Sequence, residues 1–195
     1  YMTSDASTLG LGATLHRAIT KEIVRFFSKQ LSEDKKLWLP WELEALAVGA
    51  GLQAFMPHFR ESGCKPIIYS DSTPVFMAYN KMQKGQFSSS PRVATFLHEV
   101  INSGAIVRYL SGKSNAAADF NSRYAAACKD PSKCQVCSWV EEKDNMVVRK
   151  MTAKNVENIL AGKDPLPFRS KGYWEKRQKE DPVLNKVARC LKKGI

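Results

Sequence analysis

The chain has 195 residues, 44% hydrophobic and 25% charged, enough for one packed domain and a smaller appendage. No apolar run approaches the roughly 18 residues of a membrane helix, which excludes a helical membrane protein. Thirty Lys and Arg against 19 Asp and Glu leave a formal charge of +11, which favours a polyanionic partner, most often nucleic acid, over a merely soluble basic surface. The excess is uneven: residues 1–125 hold 14 basic and 10 acidic side chains, residues 126–195 hold 16 and 9.

Met2–Asp5 reads as a strand that begins almost at once, so the chain is expected to be a piece of a longer polypeptide. Ala6-Ser7-Thr8 turns, and Leu9–Leu15 alternates Gly with apolar residues as a second, antiparallel strand would. Glu22–Ser28 is a third strand. A two-residue period puts Ile23, Arg25 and Phe27 on one face and Val24 and Phe26 on the other, so both faces carry apolar bulk. Pro40 opens a helix to about Met56, with Leu43, Leu46, Ala47, Ala50 and Ala54 as its apolar stripe. Ile67–Ser70 is a buried fourth strand, and Pro74–Asn80 a short helix. A polar loop, "KMQKGQFSSS", leads to a helix over Pro91–Ser103, with Gly104 past its end. Ala105–Leu110 is the fifth strand and Ala116–Ala126 the last helix of this part. Three meander strands followed by strand–helix alternation predict an α/β fold, a mixed five-stranded sheet with helices on both faces. Beyond Cys128 a small, mainly helical extension is expected, with helices from Thr152 to Leu160 and from Asp181 to about Leu191. The expected division is therefore 1–125 and 126–195.

Four acids fall at element ends or on helices of that frame. Asp5 ends the first strand, Glu44 lies in the long helix, Asp71 follows the fourth strand, and Asp119 lies in the last helix. If the first and fourth strands are neighbours, Asp5 and Asp71 come close together. Crowded carboxylates repel, and a hard divalent cation with oxygen ligands resolves the repulsion. Each acid also has an ordinary reading. Asp5 caps a turn through Ser7 or Thr8, Asp71 caps a helix, Glu44 is a rim residue like Glu42, and Asp119 is a solvated helix residue.

Order and spacing favour the first reading, and here the sequence resembles a known family. "TSDAS", "WELEALAV", "IIYSDSTPV" and "YLSGKSNAAADFNSR" resemble, in this order, the motifs of ribonuclease H domains in the polyproteins of gypsy-like LTR retrotransposons. The likeness spans residues 1 to about 125. It implies that Asp5, Glu44, Asp71 and Asp119 are catalytic acids, with Glu44 chosen over Glu42 because Glu44-Ala45-Leu46-Ala47 matches the family's Glu-x-x-Ala. It implies two Mg²⁺ ions, for which Mn²⁺ can substitute. One would activate water and the other would stabilise the leaving 3′ oxygen, cutting the RNA strand of an RNA–DNA hybrid. The chain departs from many ribonucleases H in lacking a histidine in the loop before Asp119; its histidines, His16, His58 and His98, lie elsewhere. Lys81, Lys84, Arg92 and Lys113 are candidates for phosphate contacts, against the plain reading of solvated basic side chains. The competing function is a non-catalytic nucleic-acid-binding or spacer module that kept the fold.

The odd cysteine count, with Cys64 and Cys190 apart, does not suit a secreted disulfide framework. A reducing, intracellular setting follows, and for a retroelement protein cytoplasmic particles, the nucleus or both. Cys128, Cys134 and Cys137 form part of a zinc-site pattern with no fourth ligand in sequence, so structural Zn²⁺ and free thiols both stand. From Pro167 the tail, with Trp174 and "QKEDPVL", resembles the connector between ribonuclease H and integrase. The resemblance implies the reverse transcriptase portion and a downstream integrase as polyprotein partners, with no membrane partner.

Overall fold

The computed structural model describes residues 1–86 and 90–146. The strands are β1 (Met2–Ala6), β2 (Gly10–His16), β3 (Ile23–Gln30), β4 (Ile67–Ser70) and β5 (Ile106–Tyr109). The helices are α1 (Pro40–Ser62), α2 (Thr73–Gln83), α3 (Pro91–Asn102), α4 (Ala116–Arg123) and α5 (Gln135–Met146). The five strands make one sheet in the order β3-β2-β1-β4-β5. β1, β2 and β3 form an antiparallel meander, whereas β4 pairs parallel to both β1 and β5. The mixed sheet expected from the sequence is therefore present.

Strand register decides which side chains meet. Met2 pairs with Leu15 and with Ile68, so these three share a face, and Ala13 joins them. All four are buried under α1 with Leu43, Leu46, Leu52 and Phe55. Each fully buried aliphatic side chain of this kind contributes about 1.5–3 kcal/mol. The opposite face carries Thr3 and Asp5 on β1, which pair with Thr14 and Gly12. There α4 lies directly on β2. A Cβ at Gly12 would overlap the carbonyl of Ala118, so only glycine permits this approach. Helices thus cover both faces of the sheet.

Two expectations change. β3 carries apolar residues on both faces, yet Ile23, Val24 and Phe26 are exposed, because β3 is an edge strand; only Phe27 packs against the core. α1 runs past Met56 to Ser62 with Pro57 inside it, ended by Gly63 in the left-handed conformation at φ 64°.

One compact unit spans Tyr1–Val148. Its last helix, α5, was not expected. Val136, Trp139 and Val140 belong to the same core as the sheet, and the Trp139 ring sits against Gly49 of α1. The helices expected over 152–160 and 181–191 lie outside the described residues. Among the described residues no helix is long and apolar enough to cross a membrane.

Candidate active site

Parallel pairing of β1 with β4 puts the C-terminal ends of both strands side by side. Ser4 pairs with Ser70, so the next residues, Asp5 and Asp71, leave neighbouring strands on one face. α1 begins beside this edge, and its first turns deliver Glu44. One carboxylate oxygen from each of Asp5, Glu44 and Asp71 lies within 4.8 Å of the others. Three of the four acids singled out in the sequence are thus brought together.

The ordinary readings fail for these three. Asp5 does not cap the turn after β1, where Leu9 and Gly10 donate to Ser7 Oγ. Its Oδ2 accepts a 2.5 Å hydrogen bond from Ser122 of α4. The N-cap of α2 is Ser72, which leaves Asp71 for the cluster. Gly112 packs against it, since a Cβ there would stand 3.1 Å from Asp71 Oδ2. Glu44 faces the backbone N–H of Ala6 with its carboxylate, while its Oε2 is buried with no hydrogen-bond partner among the described residues.

Burial and mutual repulsion are visible in the proton affinities. Desolvation, then the charges of Asp5 and Asp71, push the Glu44 carboxyl up to about 9. Desolvation also pushes Asp5 up to about 6; the Ser122 hydrogen bond opposes this, and Asp71 and Asp119 add to it. Such a set of hard oxygen donors, with one buried oxygen unpartnered, fits a divalent cation. Soft or borderline metals have no sulfur or imidazole ligand in this group.

Asp119 stands apart. It lies in the first turn of α4, near enough for its charge to act on Asp5 and Glu44. Its carboxylate, however, turns onto Arg123, with N···O distances of 2.8 and 2.9 Å, and remains 40% exposed. This pairing holds the Asp119 carboxyl below its ordinary range. Asp119 is outside the three-carboxylate group.

Glu42 is not the rim residue expected from the sequence. It is buried, accepts from Leu39 N–H and Ser90 Oγ, and pairs with Arg92 at 3.1 Å. Arg92 is consequently removed from the phosphate-contact set: its guanidinium is held by Glu42 and lies 4.1 Å over the Trp38 ring. Lys81 and Lys84 are exposed at the end of α2, and Lys113 is exposed in the 3-10 turn Gly112–Ser114 that abuts Asp71. Of the basic candidates, Lys113 is the neighbour in sequence of Gly112, which packs on Asp71.

Two positioning residues escaped the sequence reading. Ser122 ties α4 to Asp5. Asn115, fully buried, donates to the Ser4 carbonyl at 2.9 Å and anchors the 111–115 loop to β1 beside the site. Both lie in "SGKSNAAADFNSR", where only Lys113 and Asp119 had drawn a role.

The RNase H-like domain found in reverse transcriptase matches residues 1–100. The chain belongs to that family. The match contains Asp5, Glu44 and Asp71 and ends before Asp119. No curated protein matches the sequence. Among solved structures, the chain is similar to a ribonuclease H1 isolated from compost by a metagenomic approach. The two are 14% identical with a TM-score of 0.50, over 64% of this chain and 92% of that one. It is also similar to ribonuclease H1 of the halophilic archaeon Halobacterium salinarum NRC-1: 15% identity, TM-score 0.48, 62% of this chain and 91% of that one. At this low identity the likeness to the compost enzyme shows the fold, an RNase H-like α/β sheet.

Proposed function

We propose that this RNase H-like domain is a divalent-metal-dependent endonuclease that hydrolyses the RNA strand of RNA–DNA hybrids. The observation that carries the reading is the convergence of Asp5, Glu44 and Asp71 with an unpartnered Glu44 Oε2. A mere binding module has no physical reason to keep three mutually repelling carboxylates at the mouth of its sheet. Asp5, Glu44 and Asp71 would hold Mg²⁺, or Mn²⁺ in its place. Bound there, such ions supply Lewis-acid activation of water and charge stabilisation at the leaving 3′ oxygen.

The remaining work belongs to the chain. Ser122 orients Asp5 from behind, and Asn115 fixes the loop that presents Lys113. That ammonium would meet a phosphate of the hybrid entering over Asp71. Asp119 would join the acids as a fourth ligand only by leaving Arg123.

The family and the resemblance in the sequence support a broader setting. The domain would act within a retroelement polyprotein, alongside a reverse transcriptase portion and ahead of an integrase, in cytoplasmic particles or the nucleus. The basic residues beyond α5 would serve as its connector.

The test is cleavage of a labelled RNA–DNA hybrid. Wild type should require Mg²⁺ or Mn²⁺, and Asp71→Asn, which keeps shape but removes a ligand charge, should fall to background while remaining folded. An Asp71→Asn protein that cleaves like wild type overturns the mechanism.

A further inference from the structure

The second dense cluster of metal-ligating side chains lies away from the acids. Pro131–Cys134 forms a turn, with Cys134 N–H on the Pro131 carbonyl, and the next residue starts α5. Cys137 follows one turn on and is buried; Cys128 and Cys134 are half-buried. The sulfurs of all three lie within 4.8 Å of one another. Backbone N–H groups of Val136 and Cys137 face the Cys134 sulfur, as they do where a tight Cys-x2-Cys turn presents thiolates to one point. From the sheet, Lys29 of β3 donates to Cys137 Sγ at 2.9 Å.

Three sulfurs converging on one point suit a metal better than a disulfide. A disulfide uses two and leaves one thiol unexplained. A tetrahedral zinc ion with sulfurs at about 2.3 Å keeps them about 3.8 Å apart, inside the observed spacing. We propose that Cys128, Cys134 and Cys137 form a structural thiolate site for a zinc-class divalent cation, which fastens the start of α5 to the sheet through Lys29.

Charge and proton balance are simple. Three thiols release three protons to solvent as three metal–sulfur bonds form, with no change of oxidation state. The resulting centre carries one negative charge, and the Lys29 ammonium offsets it. Among the described residues no fourth His, Cys, Asp or Glu joins the group. The site is chemically separate from the acids, which offer only oxygen.

The fold has a use for it. α5 is 12 residues long, too short to persist in isolation, and residues 125–134 before it contain no strand or helix. Trp139, Val140 and the ion pairs of Lys143 and Asp144 hold its middle and far end. The cysteines hold its beginning. Closing the Cys128–Cys137 loop with a metal removes conformational freedom that the unfolded chain would regain.

The test uses the full chain under reducing conditions, titrated with Co²⁺ alone. The expected result is a sulfur-to-cobalt charge-transfer absorption that saturates at one equivalent and is displaced by Zn²⁺. Cys134→Ser should lose it, whereas Cys64→Ser should keep it. Asp71→Asn should also keep it, which separates this site from the acids and its failure from any failure of the nuclease reading. If Cys134→Ser does not fold, alkylation of the wild type decides. Zn²⁺ should protect Cys128, Cys134 and Cys137, and leave exposed Cys64 reactive. Absence of thiolate absorption, equal labelling of these cysteines with and without Zn²⁺, or a Cys134–Cys137 disulfide that persists in reductant overturns the proposal.

Discussion

Glu42 and Glu44 stand two residues apart on α1, and they belong to two regions with opposite electrostatics. Around Glu42, every acid meets a base: Glu42 with Arg92, Asp144 with Lys35, and Glu99 with Lys143. Arg92 stacks on Trp38, which stacks on Phe96, so the charges are built into the contact between α1, α3 and α5. Around Glu44, Asp5 and Asp71 add negative charge to negative charge, and among the described residues the buried Glu44 Oε2 has no hydrogen-bond partner while none of the three acids is paired with a base. An acid that serves the fold brings its counter-ion with it. The acids at the end of the sheet leave theirs to be supplied from outside, which is what a metal-dependent site requires.

The sharpest way to break this contrast is to neutralise each glutamate. Glu44→Gln should drop hybrid cleavage to background while leaving metal-free stability unchanged or higher, since it relieves repulsion. Glu42→Ala should do the reverse. It removes the hydrogen bonds from Leu39 N–H and Ser90 Oγ and the ion pair with Arg92, and should cost about 2–3 kcal/mol by denaturant unfolding. That is below the full cost of breaking a buried pair because the Arg92 side chain keeps 26% exposure. The protein that remains folded should still cleave. If Glu42→Ala abolishes cleavage in folded protein while Glu44→Gln spares it, the two roles have been exchanged.

How much of this was legible beforehand follows from the same contrast. β4 was read to its exact ends, because a short apolar run flanked by Pro66 and the "SDSTP" break has few alternatives. The pairing of β1 with β4, which brings Asp5 to Asp71, stood in the sequence only as a condition, because a strand's own residues do not name its neighbour. Periodicity could not show Glu42 buried, because its partners, Ser90 and Arg92, are about 50 residues away in sequence. For the same reason Arg92 looked like a free phosphate ligand: a cation pairs in three dimensions, and the chain gives no local sign of it. α5 was overlooked although Val136, Trp139 and Val140 recur at helical spacing. Its cysteines drew the reading toward metal chemistry, and its weakly apolar face makes sense only against α1. Asp119 matched its motif, but the motif does not contain the i,i+4 geometry through which Arg123 captures it.

A smaller effect should appear in the pH dependence of the metal-free protein. Glu44 moves from an ordinary 4.5 to about 9 and Asp5 from 3.8 to about 6. Raised carboxyl values mean that the folded state holds protons the unfolded state has released. The stabilisation is complete below about pH 4 and is lost as pH climbs through about 6 and then about 9. The melting temperature without metal should therefore decline across that window. Glu44→Gln should flatten the upper part of the decline, and saturating Mg²⁺ should flatten it in wild type. A metal-free melting temperature that rises between pH 6 and 9 contradicts the assignment of these acids as an uncompensated cluster.

The finest test concerns Asp119, which sits between the two regimes: its charge reaches Asp5 and Glu44, yet its carboxylate is held by Arg123. An exposed i,i+4 pair of this kind adds little to stability, so Arg123→Ala should barely change it. Its effect on metal binding is another matter. Removing the guanidinium takes a competing cation from Asp119 and a positive charge from the neighbourhood of Asp5. If Asp119 is the fourth ligand, the Mg²⁺ concentration for half-maximal cleavage should fall several-fold in Arg123→Ala, and Asp119→Asn should raise it. The double variant then matters most. With Asp119 already neutral, Arg123→Ala should give only the small shift due to the long-range charge on Asp5, so the two changes should not add. Additive shifts would mean that Arg123 acts on the three-carboxylate group by itself and that Asp119 is a solvated helix residue with a motif-like position. A non-additive pair would place Asp119 with the uncompensated acids, held back from them by an exposed ion pair.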